Sequence, residues 1–363
     1  MDDLKTVRDT LAGERPDDTA AQAEARARLM ELARTRRRAP RVPRLPRRGV
    51  AVLAGAAAVA VAVAGAVQLT RTPEARPATV GAFLLSAAQH TAAEKTGRYW
   101  TMRTTAHRLY RVGPRAAPYT IDYRQREAYW FARDARDPSR WSSPRATAAP
   151  VSAADRAAWR RDGGPARWRL PGGGHLDARP HAAEVLPWDD GKDLFAIDDH
   201  GFDVRRLRAL PADPRALKAR LLGYYTADSR DYGLDPDVPG DRTGWLYGQL
   251  SALLATPAPP DVRAAAYRVL ATLPGVALRG NGGAGRAGTA IGRVESDPQL
   301  GGASVDHRLV IDRANGRLLA DQRVVVRPGG ETPWAAPGTL VAWTDYRMGW
   351  SAQDPPAVHR SPE

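Results

Sequence analysis

Residues 307–327 read HRLVIDRANGRLLADQRVVVR. Two β-rich runs, His307 to Asp312 and Arg317 to Arg327, flank the joint Arg313-Ala314-Asn315-Gly316. Asn-Gly between such runs is a strong short-range signal for a β-hairpin. Working outward, Val276 to Arg279, Ala287 to Glu295 and Thr339 to Gly349 are also alternating or β-rich, so the end of the chain reads as strands. Helices precede it. Asp213 caps one within Leu207 to Leu222, with Pro214 in its first turn, and a second covers Thr243 to Leu254. The third lies in TPAPPDVRAAAYRVLATLPGV (256–276), with Asp261 as its cap, Val262, Tyr267 and Leu270 on the buried side, and Pro274-Gly275 as its stop.

Before the helices come strands again. RYWTMRTTAHRLY (98–110) and YTIDYRQREAYWF (119–131) are the first two, and Trp141 belongs to a third. A helix, AFLLSAAQHTAAEK, leads into them and ends near Gly97. Residues 142–192 are irregular, with a loop-like Pro171-Gly-Gly-Gly174, and Trp159, Trp168 and Trp188 are the residues expected to pin that region down. Strands, helices and strands in that order predict an α+β domain over 81–352, an antiparallel sheet with helices packed on one face.

From Gly49 to Leu69 the chain reads GVAVLAGAAAVAVAVAGAVQL, without a charge. About 20 apolar residues at 1.5 Å each cross a ~30 Å hydrocarbon core. Seven arginines between Arg36 and Arg48 crowd the N-terminal flank, against Arg71 and Arg76 on the other. The positive-inside rule then predicts residues 1–48 in the cytoplasm, one transmembrane helix at 49–69, a linker at 70–80 and an extracytoplasmic domain, with 353–363 as a C-terminal tail. A cleaved signal peptide is the competing reading. Arg47-Arg48 resembles a weak twin-arginine start and Ala62-Val63-Ala64 a cleavage site.

In the N-terminal 48 residues, Leu4, Val7 and Leu11 share one helical face. Asp17, Asp18 and Thr19 can cap a second helix that carries Leu29 and Leu32. Two short helices bury no core alone; residues 1–35 are either a handle for a cytoplasmic partner, through those five apolar residues, or an inert tail. The Pro- and Arg-rich connector from Ala39 to Arg48 suits anionic lipid headgroups.

Bulk composition narrows the chemistry. The 363-residue chain has room for about two domains, and 43 % hydrophobic residues suffice for a core. Cysteine is absent, which excludes disulfides, thiolate catalysis and cysteine zinc sites. The net charge of +14 comes almost wholly from arginine and reflects GC-rich coding. No aromatic-interleaved basic motif accompanies it, so nucleic acid is not an expected partner.

Catalytic motifs are missing as well. Gly280-Asn-Gly282-Gly-Ala-Gly285 matches G-x-G-x-x-G, but a strand follows where a dinucleotide site needs a helix. The seven histidines stand singly, and Asp198-Asp199-His200 reads as a turn. There is no G-x-S-x-G and no Ser-x-x-Lys. No catalytic residue, cofactor or metal is expected. Trp100, Tyr129, Trp130, Trp343 and Tyr346, all on predicted strands, are the candidates for lining an apolar ligand groove.

LPADPRALKARL, PPDVRAAAYRVLATLPGV, GRAGTAIG, LVIDRANGRLLADQ and DYRMGW, together with the opening MDDLKTVRDTLAGERPDD, resemble an uncharacterised family of actinobacterial single-pass membrane proteins. The layout is also similar to that of membrane anti-sigma factors, although the tail lacks a His-x3-Cys-x2-Cys zinc motif. The strand–helix–strand order fits the curved sheet of periplasmic lipoprotein carriers and sigma-regulator sensor domains. These resemblances imply a non-enzymatic, membrane-anchored sensor or binding protein, its outer domain taking an envelope ligand and its tail regulating a partner such as a sigma factor. An anchored envelope ligand carrier or scaffold with an inert tail is the alternative, and an enzyme acting outside the membrane is the third reading.

Overall fold

The structure is a computed structural model and describes residues 79–360, apart from 135, 171–173, 180–181, 190–194, 198–199, 226–241 and 283–287. The expected tail contacts Leu4, Val7, Leu11, Leu29 and Leu32 and the span at 49–69 lie outside the described residues. Within these, no helix is long and apolar enough to cross a membrane.

Helix α1 (Val80–Ala92) starts where the Thr79 side chain accepts from the Ala82 amide, and buries Phe83, Leu84, Ala87, Ala88 and Thr91. Three long strands follow as a meander: β1 (Tyr99–Val112), β2 (Tyr119–Ala132) and β3 (Arg140–Pro150). Helix α2 (Ala153–Arg161), opened by a Ser152–Asp155 capping box, leads into the short strands β4 (Arg167–Arg169), β5 (His175–Asp177), β6 (Val185–Pro187), β7 (Phe195–Ile197) and β8 (His200–Phe202). Then come α3 (Val204–Arg208), α4 (Pro214–Leu222), α5 (Arg242–Leu254) and α6 (Pro260–Leu270). A second meander closes the chain: β9 (Ala277–Asn281), β10 (Thr289–Asp297), β11 (Ala303–Ile311), β12 (Leu318–Arg327) and β13 (Leu340–Ser351).

The two meanders form one nine-stranded antiparallel sheet in the order β6-β3-β2-β1-β13-β12-β11-β10-β9. They join at β1 and β13, in register from Tyr99 opposite Ser351 to Arg108 opposite Ala342. The expected α+β arrangement is therefore present. Side chains alternate between the faces of a strand. Ile291, Leu309 and Ile311 point to the same face and pack in one core with α1, α4, α5 and α6. Helix α6 is buried all round, including Arg263, which stacks 4.4 Å over Trp100 and pairs with Glu94.

Several expectations needed correction. Helix α6 begins after Pro259 with no side-chain cap; Asp261 accepts only from the neighbouring Val262 amide. The third strand is longer than Trp141 alone suggested. It runs to Pro150, and Pro144 sits where the pairing slips between Arg126 and Ala128, a bulge that accepts a residue with no amide to donate. Helix α2 was not read at all from the irregular stretch. The Asp213 cap on α4 stands as expected, its carboxylate accepting from the Ala216 amide.

The hairpin at 312–317 also explains its glycine. Gly316 has φ +71°, and a Cβ there would lie 2.5 Å from the Ala87 carbonyl of α1. Its own carbonyl accepts from the Tyr267 hydroxyl at 2.8 Å, so the turn is docked on two helices. Gly316→Ala is expected to lower the unfolding free energy by about 2 kcal/mol or more, measured by urea denaturation; an unchanged midpoint would contradict this docking.

Candidate functional site

Three apolar clusters cover the helix-bearing face without meeting. The largest lies under α1 and α4–α6, with Tyr346 and Met348 at its margin. A second joins Val112, Tyr119 and Ile121 to Trp168 and Leu176 of the β4–β5 hairpin, with Tyr110 and Tyr123 at its margin. The third gathers Leu300 with Val305, Val325 and Val341. Between them lies a groove of about 390 Å³. Ala106, Ala342 and Thr344 form a low floor, since small side chains leave the sheet uncovered there. Tyr110, Tyr123 and Tyr346 stand around it.

One side of the groove is closed by a reach across the sheet. The Arg108 guanidinium on β1 donates to the Gln299 carbonyl at 2.8 Å, in the turn after β10. Four strand spacings separate β1 from β10, or ~19 Å on a flat sheet. The long Arg108 side chain and the position of the turn after β10 bring the two together.

Beneath the groove a chain of charges runs across β10, β11 and β12. The register sets Arg293 opposite His307 and His307 opposite Arg323, so all three side chains share the helix-bearing face. His307, 1 % exposed, meets Glu295 through Nδ1 at 2.7 Å and Asp321 through Nε2 at 2.9 Å. Arg323 bonds Asp321 in turn and sits 3.3 Å from Asp297. Two carboxylate partners accept from both ring nitrogens, which favours the doubly protonated imidazolium. Burial and Arg323 oppose that charge, but Asp321 and Glu295 outweigh them, and the His307 pKa rises above its ordinary 6.5. Burial works against the Asp321 carboxylate too; Arg323 and His307 override it and hold its pKa at about 2. Tyr247 completes the setting, its hydroxyl donating to the His307 carbonyl at 3.1 Å.

A second histidine lies on the opposite, open face. His107 stacks on Trp343 at 4.2 Å and 13°, contacts Asp122 at 3.0 Å and faces Asp345 at 3.6 Å. Arg124 binds the same Asp122 at 2.7 Å. Burial opposes the Asp122 charge, yet His107 and Arg124 lower its pKa overall. Among the described residues no group of three His, Asp or Glu side chains is arranged to hold a metal ion. Gly280 and Asn281 of the glycine-rich stretch belong to β9, which pairs antiparallel with β10, and residues 283–285 lie outside the described residues.

The five aromatic residues chosen from sequence do not form one surface. Trp100 is 1 % exposed, a core residue under Arg263 with its ring edge-on to Trp350. Tyr129 belongs to an aromatic group with Phe131 and Trp188 near the β3 edge. Tyr346 lines the groove. By strand alternation these three share the helix-bearing face, while Trp130 and Trp343 lie on the other. Tyr110 and Tyr123 were missed, because their exposure depends on where the clusters end. The carboxylates around His307 lie 12 and 14 residues away in sequence, and only the pairing register brings them together.

Comparison of the chain with family models, curated proteins and solved structures found no match.

The network predicts a pH dependence. A pKa raised on folding contributes fully below the unfolded value of 6.5, and the contribution is lost as pH rises through the folded value. The Asp321 contribution, from a lowered pKa, is present above 3.8 and lost as pH falls through about 2. Urea unfolding followed by tryptophan fluorescence should show lower stability at pH 8.5 than at pH 5.5. His307→Asn should remove much of that difference and cost about 3 kcal/mol at the lower pH. A pH slope that survives His307→Asn would disprove the assignment.

Proposed function

We propose that this chain is a non-enzymatic binding protein of the cell envelope, anchored by residues 49–69, whose sheet domain holds a small amphipathic ligand in the tyrosine-lined groove. The observation that carries this reading is the uncovered strip of sheet between three apolar clusters, floored by Ala106, Ala342 and Thr344 and edged by the half-buried charges of Asp321 and Arg323. Ligand sites are typically concave, largely preformed, mostly apolar or aromatic, and carry a few placed polar groups. His307 lies under the groove with both ring nitrogens engaged, an arrangement that suits holding charges in place better than moving protons. The antiparallel sheet between two sets of strands with helices in the middle is in keeping with a carrier-like or sensor-like domain, the fold that the strand–helix–strand order suggests.

In this reading residues 1–48 face the cytoplasm and relay occupancy of the groove to a regulator such as a sigma factor, contacted through Leu4, Val7, Leu11, Leu29 and Leu32. The basic flank from Arg36 to Arg48 sits on anionic lipid. The alternative, an anchored carrier or scaffold, differs only in having an inert tail.

The test begins with full-length protein isolated from its native membranes. Small molecules released on denaturation are measured by mass spectrometry and compared with those from Ala106→Phe. The larger ring fills the groove floor at a cost of about 1–3 kcal/mol, and at least a tenfold loss of bound ligand is expected. Equal ligand in both proteins would sink the groove as the binding site. A parallel crosslinking pull-down with residues 2–35 deleted reads the tail. Loss of a cytoplasmic partner identifies a sensor, and unchanged partners identify the carrier.

A further inference from the structure

The open face of the sheet carries arginines that the fold leaves unmatched. Arg103 on β1 stands directly opposite Arg347 on β13, and Arg126 on β2 directly opposite Arg145 on β3. Arg103 pairs across with Ala128, so Arg126 is its diagonal neighbour. Direct cross-strand partners have Cβ atoms ~5 Å apart and diagonal ones ~7–8 Å. The four therefore form a continuous line, Arg347–Arg103–Arg126–Arg145, over four adjacent strands. All four are exposed, and none is in an ion pair among the described residues.

Several other charges on this face have partners. Arg124 holds Asp122, His107 lies between Asp122 and Asp345, and Arg279 and Arg308 share Asp306. Like charges placed directly opposite on a sheet are unfavourable. Two such pairs in one line make sense with an external anion above them. Beside the line is a cleft of about 570 Å³ to which Arg103 and Arg347 contribute; its other charged residues are Arg317, which pairs with Glu94, Asp354, which pairs with Arg98, and Asp312. Guanidinium groups with their five donors match phosphate oxygens in geometry.

We propose that this face docks on the anionic phospholipid headgroups of the membrane, leaving the helix-bearing groove turned away from the bilayer. The occupant follows from charge complementarity and from reach. The roughly ten residues between residue 69 and the start of α1 at Val80 could span at most ~35 Å, which keeps the domain close to any bilayer holding residues 49–69. The inference rests on the anchored reading given above, and its test separates the two.

The chain has no cysteine, so an introduced one reports a single place. Thr147→Cys, exposed beside Arg145 on the open face, and Ala252→Cys, exposed on α5, are each labelled with a fluorophore in the full-length protein. The protein is reconstituted into phosphatidylcholine vesicles with or without phosphatidylglycerol, both containing a nitroxide-headgroup lipid. Quenching of the Thr147 label, but not of the Ala252 label, is expected only with phosphatidylglycerol. It should weaken in high salt, where screening shortens to a few ångströms. Each Arg→Gln change in the line should weaken docking about fivefold.

Quenching that is equal in both vesicle types, or indifferent to the four substitutions, overturns the proposal. So does protection of the Thr147 label by soluble polyphosphate without any effect of phosphatidylglycerol, which would assign the line to a soluble polyanion. Retention on phosphatidylcholine vesicles through an alkaline wash reads the anchor separately. If the chain washes off, it is added from outside to the same vesicles and the same quenching decides the docking.

Discussion

The pairing of β1 with β13 is the constraint on which the rest of the domain depends. It joins residues as far apart as Tyr99 and Ser351, 252 positions, and turns two separate meanders into one sheet. Without that seam β2–β3 and β11–β12 would still be hairpins, but the helices would have no common surface to cover. The seam is reinforced where Trp100 meets Trp350 and where Arg263 descends from α6 onto Trp100. A contact of such long sequence separation forms only after much loop entropy has been lost. The local hairpins and the helix-led cluster are therefore the elements expected to organise first.

The seam also sorts the side chains into two chemistries. On one face, small residues along β1 and β13 leave a groove, and β10–β12 place Glu295, His307, Asp321 and Arg323 in contact beneath it. On the other, the same strands hold His107 between carboxylates and present a line of arginines. Buried charges are costly unless each is matched. His107 with Asp122, and His307 with Asp321 and Arg323, meet that condition; Glu295 Oε2 is buried without a hydrogen-bond partner, and the arginine line has no counter-charge among the described residues. A matched network is consistent with a rigid base for a binding site, and an unmatched line with a surface whose counter-charge comes from outside.

Much of the architecture was legible in the chain. The Asp312–Arg317 turn, the Asp213 cap and the long alternating runs at 98–110 and 119–131 carry local signals strong enough to survive packing. The third strand was harder to see, because its Pro144 and Pro150 argue against a strand until an edge position and a bulge are known. Helix α2 was hidden among arginines and alanines with no apolar stripe, and none of its residues is buried. The N-terminal cap of α6 was misassigned because Asp261 resembles a capping residue, while the backbone already turns helical at Pro260.

The sequence by itself determined the element types, the hairpin turns and the apolar stretch at 49–69, because these depend on propensity and periodicity within a few residues. Which aromatic rings share a face, where the groove opens, and which carboxylates meet His307 were decided only by tertiary structure. A shift of one residue in strand register moves every side chain to the opposite face. The partners of His307 and the line of arginines are products of pairing between distant strands, and no local pattern in the chain encodes that pairing.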